Sequence, residues 1–174
     1  MFDQFFEFKY INHQPGTQSD GFIRVHTYKF TAQNEPYIFR AEEYQHSVFA
    51  VKFYHKSFED SPQRYNLLTN KGIPSPIFRT CINIMLDIVQ KFPTASLGFI
   101  GSELQAEGRT NTQRYRIYKQ LMENFFSPAK FSHHIYPPHS AYLLINRAQE
   151  DAEILFKVES LFQEIYDFGS KPGE

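Results

Sequence analysis

The feature that most constrains this chain is a nearly unbroken apolar run over residues 48–54, VFAVKFY. A strand with one face in water alternates apolar and polar side chains, whereas this run is apolar on both faces apart from Lys52. It therefore predicts a central strand that is covered on both sides. Such a strand requires a layered domain around it, and a hydrophobic fraction of 41% supplies enough apolar material and excludes disorder.

Further strands are predicted from segments rich in aromatic and β-branched residues: 2–11, 22–30, 37–44, 65–68, 95–101, 131–136 and 141–147. A turn signal, HQPGTQSD, separates the first two segments at residues 13–20. The segment 95–101 lies between two predicted helices, which favours a parallel neighbour in the sheet.

Three helices complete the predicted layout, at 75–90, from Thr110 onward, and at 149–168. The last has an apolar stripe at helical spacing: Ile154, Leu155, Val158, Leu161, Phe162 and Ile165. The fold class is therefore α+β, with one main, mostly antiparallel sheet of about six to eight strands and three helices packed on it. We expect a single domain over residues 1–168 and a disordered tail at 169–174.

Composition narrows the function classes. Lys plus Arg number 18 and Asp plus Glu 19, so the net charge of −1 gives no global basic surface for nucleic acid. Cys81 is the only cysteine, which excludes an intramolecular disulfide and a cysteine-based zinc site. The sequence begins without the bases and apolar run of a signal peptide, and no segment is long enough to cross a bilayer. We expect a cytoplasmic protein with no membrane partner and no cofactor.

The most distinctive polar segment spans residues 108–119, GRTNTQRYRIYK, which carries four bases and no acid. Bases at the start of a helix are unusual, because the helix dipole and the free N–H groups there favour an anion. One interpretation is a site for an anion or an acidic partner, formed by Arg109, Asn111, Arg114, Arg116, Tyr118 and Lys119. The other is structural: Arg114 lies along the core and pairs with Glu103 or Asp87.

Other chemistry-bearing residues predict no catalytic or metal site. His133 and His134 would point to opposite faces of one strand and could not share an ion, so they and His139 are expected at the surface. Cys81 lies on an apolar helix face, where burial keeps a thiol unreactive. The carboxylates near the central strands form no spaced acid–base pattern and are expected to be solvated: Glu42, Glu43, Glu59 and Asp60.

Two resemblances concern the second half of the chain. Over residues 65–147 it resembles a family of small bacterial and phage proteins of unknown function, through Thr69, Asn70, Gly72, Thr80, Asp87, Lys91, Pro93, Ala95, Phe99, Gly101, Ser102, Arg114, Arg116, Ile117 and Tyr118. That resemblance implies a phage- or mobile-element-related type and no known activity.

The same half is more distantly similar to the GNAT superfamily of N-acetyltransferases. The similarity lies in a strand, loop, helix, strand and helix order, with Asn111 and Tyr118 seven residues apart on the second helix. It implies a coenzyme A pyrophosphate site in the loop at 70–76. That loop, NKGIPSP, has one glycine and two prolines, so two backbone donors are missing where phosphates would bind. The sequence therefore predicts that coenzyme A does not bind.

These observations lead to one principal hypothesis: a non-catalytic, cytosolic binding protein that uses the helix start at 109–119 for an acidic protein or a nucleic acid. A degenerate GNAT-like acyltransferase and a small nucleic-acid-acting toxin remain as alternatives, so the question of catalysis stays open. Residues 149–168 carry six acids and one base, with Phe156 pointing away from the apolar stripe. Because this charge is opposite to that of 109–119, a homodimer is a further expectation.

Overall fold

One seven-stranded sheet organises the fold. The computed structural model describes residues 4–65, 75–100, 113–149 and 151–166, without the side chains of Ile100, Gln113 and Arg114. Its strands are β1 (Phe8–Pro15), β2 (Arg24–Ala32), β3 (Glu35–Tyr44), β4 (Val48–His55), β5 (Ser96–Ile100), β6 (Phe131–Tyr136) and β7 (Ala141–Asn146). Its helices are α1 (Ser75–Lys91), α2 (Gln113–Phe125) and α3 (Ile154–Tyr166). The predicted α+β class is confirmed.

The strand order is β1-β2-β3-β4-β5-β7-β6, and every neighbouring pair is antiparallel except β4 with β5. The chain passes from β4 through α1 to β5, a connection long enough to bring the two strands parallel. The apolar run at 48–54 thus forms the fourth of seven strands, as its composition predicts. The parallel arrangement predicted for the segment 95–101 is also confirmed.

Helices α1 and α2 cover one face of the sheet, the α1/α2 face. The inward residues of α1 are almost all apolar and include Phe78, Ile82, Met85 and the fully buried Cys81. They pack against aromatic side chains from the central strands, such as Phe39, which is buried among them. Burial of Cys81 agrees with its predicted place in the core.

Helix α3 covers the opposite face, the α3 face, near β4, β5 and β7. Ile154, Val158 and Phe162 are buried there, as the apolar stripe predicts, whereas Phe156 is 73% exposed. A Cβ atom at Gly98 of β5 would lie 2.3 Å from the Phe162 ring. Glycine at this position therefore allows the helix to approach the strand closely.

The predicted boundaries of the first strand and the last helix are wrong, and local hydrogen bonds explain both. The first strand is Phe8–Pro15 and not 2–11, because the Phe6 amide donates to the Thr80 hydroxyl of α1 at 2.8 Å and is held away from the sheet. Pro15 pairs with Arg24 at the open edge of the sheet, where a missing N–H is tolerated. The predicted strand at 65–68 and the tail at 169–174 fall mostly or wholly outside the described residues.

The last helix begins at Ile154, five residues after the predicted start. Asp151 accepts a hydrogen bond from the Glu153 amide at 2.9 Å, and its carbonyl accepts one from the Ile154 amide at 3.2 Å. These two hydrogen bonds form a turn over residues 151–154, and the helix begins only at its end. Within the described helices, none combines the length and the apolar character needed to cross a membrane.

Candidate ligand site at the divergence of β4 and β5

The parallel pair separates after a short contact. Among the described residues, pairing runs from Val48 with Ser96 to Ala50 with Gly98, and both strands continue beyond it. Their other edges are occupied, since β4 pairs with β3 and β5 with β7. Beyond Ala50 and Gly98, the described parts of β4 and β5 make no ladder pair with each other. We call this opening the divergence.

Aromatic side chains pack at the divergence on the α1/α2 face. Tyr118 of α2 contacts both strands: its ring centroid lies 4.3 Å from that of Phe99 in β5 and 6.4 Å from that of Phe53 in β4. Phe78 of α1 lies edge-on to the same ring at 5.1 Å. Tyr118 is only 4% exposed. Among the rings of Tyr118, Phe99, Phe53 and Phe78, its hydroxyl is the one polar group, and it lies where little water reaches it.

A charged pair occupies the α3 face of the same region. The Lys52 ammonium lies 2.6 Å from Oε1 of Glu42, while Oε2 accepts a hydrogen bond from the Tyr44 hydroxyl at 3.0 Å. The ammonium also lies over the rings of Tyr65 and Tyr166, 5.3 and 5.2 Å from their centroids. Burial, followed by the nearby Glu42 carboxylate, raises the pKa of Tyr44 and keeps it protonated.

Glu42 corrects an expectation from the sequence. It is 5% exposed and ion-paired, whereas the sequence predicts a solvated carboxylate. Its neighbour Glu43 is also paired, 2.7 Å from Nε of Arg24 and 3.0 Å from Nε2 of His26. The partners of Glu42 and Glu43 cannot be predicted from spacing along the sequence, because they are brought together by the register of β2, β3 and β4.

The structure separates the predicted site residues on α2. Arg116 is exposed, and Lys119 pairs with Glu123 at 3.2 Å one turn later, whereas Tyr118 faces the core. Arg109 and Asn111 lie outside the described residues, and so does the side chain of Arg114. The anion- or partner-binding role of this segment therefore stays a prediction.

The alternative for Arg114 named Asp87 and Glu103 as its partners. In the structure Asp87 accepts a hydrogen bond from the Tyr28 hydroxyl at 2.9 Å and pairs with Lys91 at 3.0 Å. Glu103 lies outside the described residues.

The histidines of β6 point to opposite faces, as predicted. His133 interacts with the Tyr142 hydroxyl and with the Phe126 carbonyl, at 2.8 Å for the latter, whereas His134 interacts with Ser132. Burial lowers the pKa of His134 and favours its neutral form. In the part of the chain that the structure describes, no group of three or more His, Cys, Asp or Glu residues is arranged to hold a metal ion.

No protein-family model, curated protein or solved structure matches this chain.

Proposed function

We propose that this chain is a GNAT-like binding protein that accepts the extended, amide-bearing arm of an acyl thioester, of the pantetheine type, at the divergence of β4 and β5. The observation that carries the proposal is the parallel strand pair that ends at Ala50 and Gly98, with Tyr118 packed against both strands beyond that point. A linear ligand with amide groups is the kind of molecule that pairs with the backbone of an extended strand.

The order of elements supports this proposal. Strand β4, helix α1, the parallel strand β5 and helix α2 follow one another as the GNAT resemblance implies, and Tyr118 on α2 is one of the two residues that carry the resemblance. Fold-level likeness by itself does not establish an activity, so the proposal depends on the local geometry.

The chemistry of the divergence suits a thioester arm. Strand edges supply N–H donors and carbonyl acceptors for the amides of the arm, and the surrounding rings supply an apolar wall for its methylene groups. The Tyr118 hydroxyl can donate a hydrogen bond to the thioester carbonyl or to the sulfur.

The partner that presents the arm is proposed to be an acidic protein and not free coenzyme A. Pro74 and Pro76 lack the N–H groups that a diphosphate would need. Between Arg109 and Lys119 the sequence has four bases and no acid, and Arg116 is exposed. This retains the predicted acidic-partner role of the helix start. The phage-related origin also stays a prediction.

The test is a titration of the full chain with S-acetylpantetheine, followed by backbone amide NMR shifts. We expect saturable shifts at Lys52–His55 and Phe99 and none along β1. Tyr118→Phe should weaken binding about tenfold, the worth of one hydrogen bond of roughly 1.4 kcal/mol. Tyr10→Phe, on β1, is the matched control and should bind as the wild type does.

Two results would count against the proposal. Shifts that are absent at millimolar probe, or that fall outside the divergence, would reject the arm site. Coenzyme A that binds with a micromolar Kd would instead reject the argument from the two prolines while leaving the divergence as the site. A ligand at 100 times its Kd stabilises a protein by about 2.7 kcal/mol, so thermal unfolding provides an independent readout.

A further inference from the structure

Three side chains at one end of β3 and β4 form a continuous hydrogen-bonded chain. His55 is the last residue of β4, Ser57 lies in the 3₁₀ turn Lys56–Phe58 that follows, and Glu35 is the first residue of β3. The antiparallel register pairs Tyr37 with His55, which places Glu35 beside the imidazole. The arm site is proposed on strand backbone that includes the end of β4, whereas this cluster is formed by the side chains of the three residues.

The distances connect all three groups. The imidazole Nε2 of His55 lies 2.7 Å from Oε2 of Glu35, and its Nδ1 lies 2.7 Å from the Ser57 hydroxyl oxygen. These distances are within the range expected between a nucleophile, a base and the group that orients the base.

The protonation pattern follows from the partners. An ionised carboxylate only accepts hydrogen bonds, so Nε2 of His55 carries the proton. The Ser57 amide donates to Nδ1 at 3.1 Å, which requires a lone pair on that nitrogen. The Ser57 hydroxyl must then donate to Nδ1 as well. This is the resting proton arrangement of a serine–histidine–carboxylate triad, with the two imidazole nitrogens exchanged.

The proposed base, His55, is buried, whereas the proposed nucleophile, Ser57, is exposed. His55 is 8% exposed, and its ring lies edge-on to Tyr37, with the ring centroids 5.1 Å apart. The Phe58 ring contacts it at 5.7 Å. Ser57, by contrast, is exposed, so a substrate can reach its hydroxyl. A fixed imidazole beneath an accessible hydroxyl is what general-base activation requires.

If His55 only capped the short turn, fewer contacts would be needed than the structure shows. The Ser57 amide alone satisfies a cap on the short turn, and neither the hydroxyl nor a carboxylate behind the ring is required for it. The Glu35 contact and the Ser57 hydroxyl contact are therefore the features that a capping role leaves unexplained.

We propose that Ser57 is a nucleophile for activated acyl esters, with His55 as its base and Glu35 as a positioning residue. The Ser57 oxygen attacks the ester carbonyl while its proton passes to Nδ1 of His55. The bond to the leaving alcohol breaks, and the alcohol takes the proton from His55, which leaves acyl-Ser57. Water then attacks the acyl group with His55 as base, which releases the acid and restores the serine.

The test uses p-nitrophenyl acetate on the full chain, with p-nitrophenolate release and peptide mass mapping as readouts. We expect acetylation at Ser57 in the wild type and its loss in Ser57→Ala, a change at an exposed position. Ser61→Ala is the matched control, since Ser61 lies in the same loop and its hydroxyl accepts from the Gln63 amide and not from a histidine. The control should be acetylated at Ser57 at the wild-type rate.

The Glu35→Gln variant tests whether Glu35 positions His55 or only packs beside it. It should slow acetylation by about tenfold, below the roughly 100-fold that a general base contributes, by lowering kcat with KM unchanged, and Glu35→Asp should restore part of the rate. A Glu35→Gln protein with the wild-type kcat would overturn the role of Glu35. Acetylation confined to lysines such as Lys56, or equal at Ser57 and Ser61, would overturn the proposal as a whole.

Discussion

At the scale of single residues, the buried pair of Glu42 and Lys52 makes the clearest energetic prediction. Glu42→Gln leaves the Lys52 ammonium, whose side chain is 24% exposed, without its partner at 2.6 Å. Loss of one partner of a buried pair costs about 3 kcal/mol of unfolding free energy at the lower end of the usual range. Urea unfolding measures this cost directly.

A matched substitution isolates the effect of burial. Glu123→Gln breaks the surface pair with Lys119, in which the two side chains are 54% and 38% exposed. Such a pair contributes about 0.3–0.5 kcal/mol. Equal losses in Glu42→Gln and Glu123→Gln would show that the Glu42 pair does not behave as a buried one.

Single residues were also where the sequence was least informative. The apolar spacing of α1 predicted the burial of Cys81, because helix periodicity alone decides which face it occupies. The burial of Glu42 and the alignment of Glu35 with His55 depend on the register of β3 against β4. A one-residue slip of that register would move every side chain to the other face, and no local pattern encodes it.

At the scale of elements, type and order followed from the pattern, and boundaries depended on side-chain hydrogen bonds. The apolar run at 48–54 identified the central strand because only a strand covered on both sides tolerates it. The start of α3 was set instead by Asp151, whose side chain caps the preceding turn. Residue type alone does not distinguish such a turn from a first helical turn.

This turn gives a pH-dependent prediction. Hydrogen bonds from Lys157, then from the Glu153 amide, hold the pKa of Asp151 below its usual value of about 3.9. The folded state thus binds the proton less readily than the unfolded state. The stabilising contribution of the carboxylate is present above about pH 3.9 and is lost as the pH falls through the lower folded value.

Asp151→Asn keeps an acceptor for the Glu153 amide but removes the charge. We expect wild type to be more stable than Asp151→Asn at pH 6, with the difference shrinking to zero as acid protonates Asp151. Denaturant unfolding at a series of pH values measures it. A difference that stays constant from pH 6 to strong acid would show that the ionised carboxylate is not what stabilises the turn.

At the scale of the whole molecule, the sequence predicts the layers and the central strand but not the separation of β4 from β5. The chain passes through α1 and returns as β5, parallel to β4, and the two strands pair only briefly. Helix α2 then places Tyr118 against both strands. The GNAT resemblance implies a role for Tyr118, whereas its contact with both strands is a tertiary feature. The resemblance therefore points to the residue, and only the topology shows which strands surround it.

The acidic surface of α3 and its exposed Phe156 predict self-association. Helix α3 and its preceding turn, residues 151–166, carry four acids and one base, and Phe156 stands on the outer face with 73% exposure. A large apolar side chain within a charged rim is a common centre for a protein contact. The basic segment 109–119 of a second copy has the complementary charge. We predict a dimer at micromolar concentration that Phe156→Asp and high salt both dissociate, measured by sedimentation velocity.

Ile11→Asp is the control, because Ile11 is 50% exposed on the edge strand β1 and its substitution disrupts a different surface. It should leave the dimer intact. If Ile11→Asp dissociates the dimer and Phe156→Asp does not, the two copies pair through the open edge of β1, as unprotected edge strands do. A monomer for the wild type would leave the acidic face of α3 with a role in solubility alone, since exposed charge of one sign keeps copies apart.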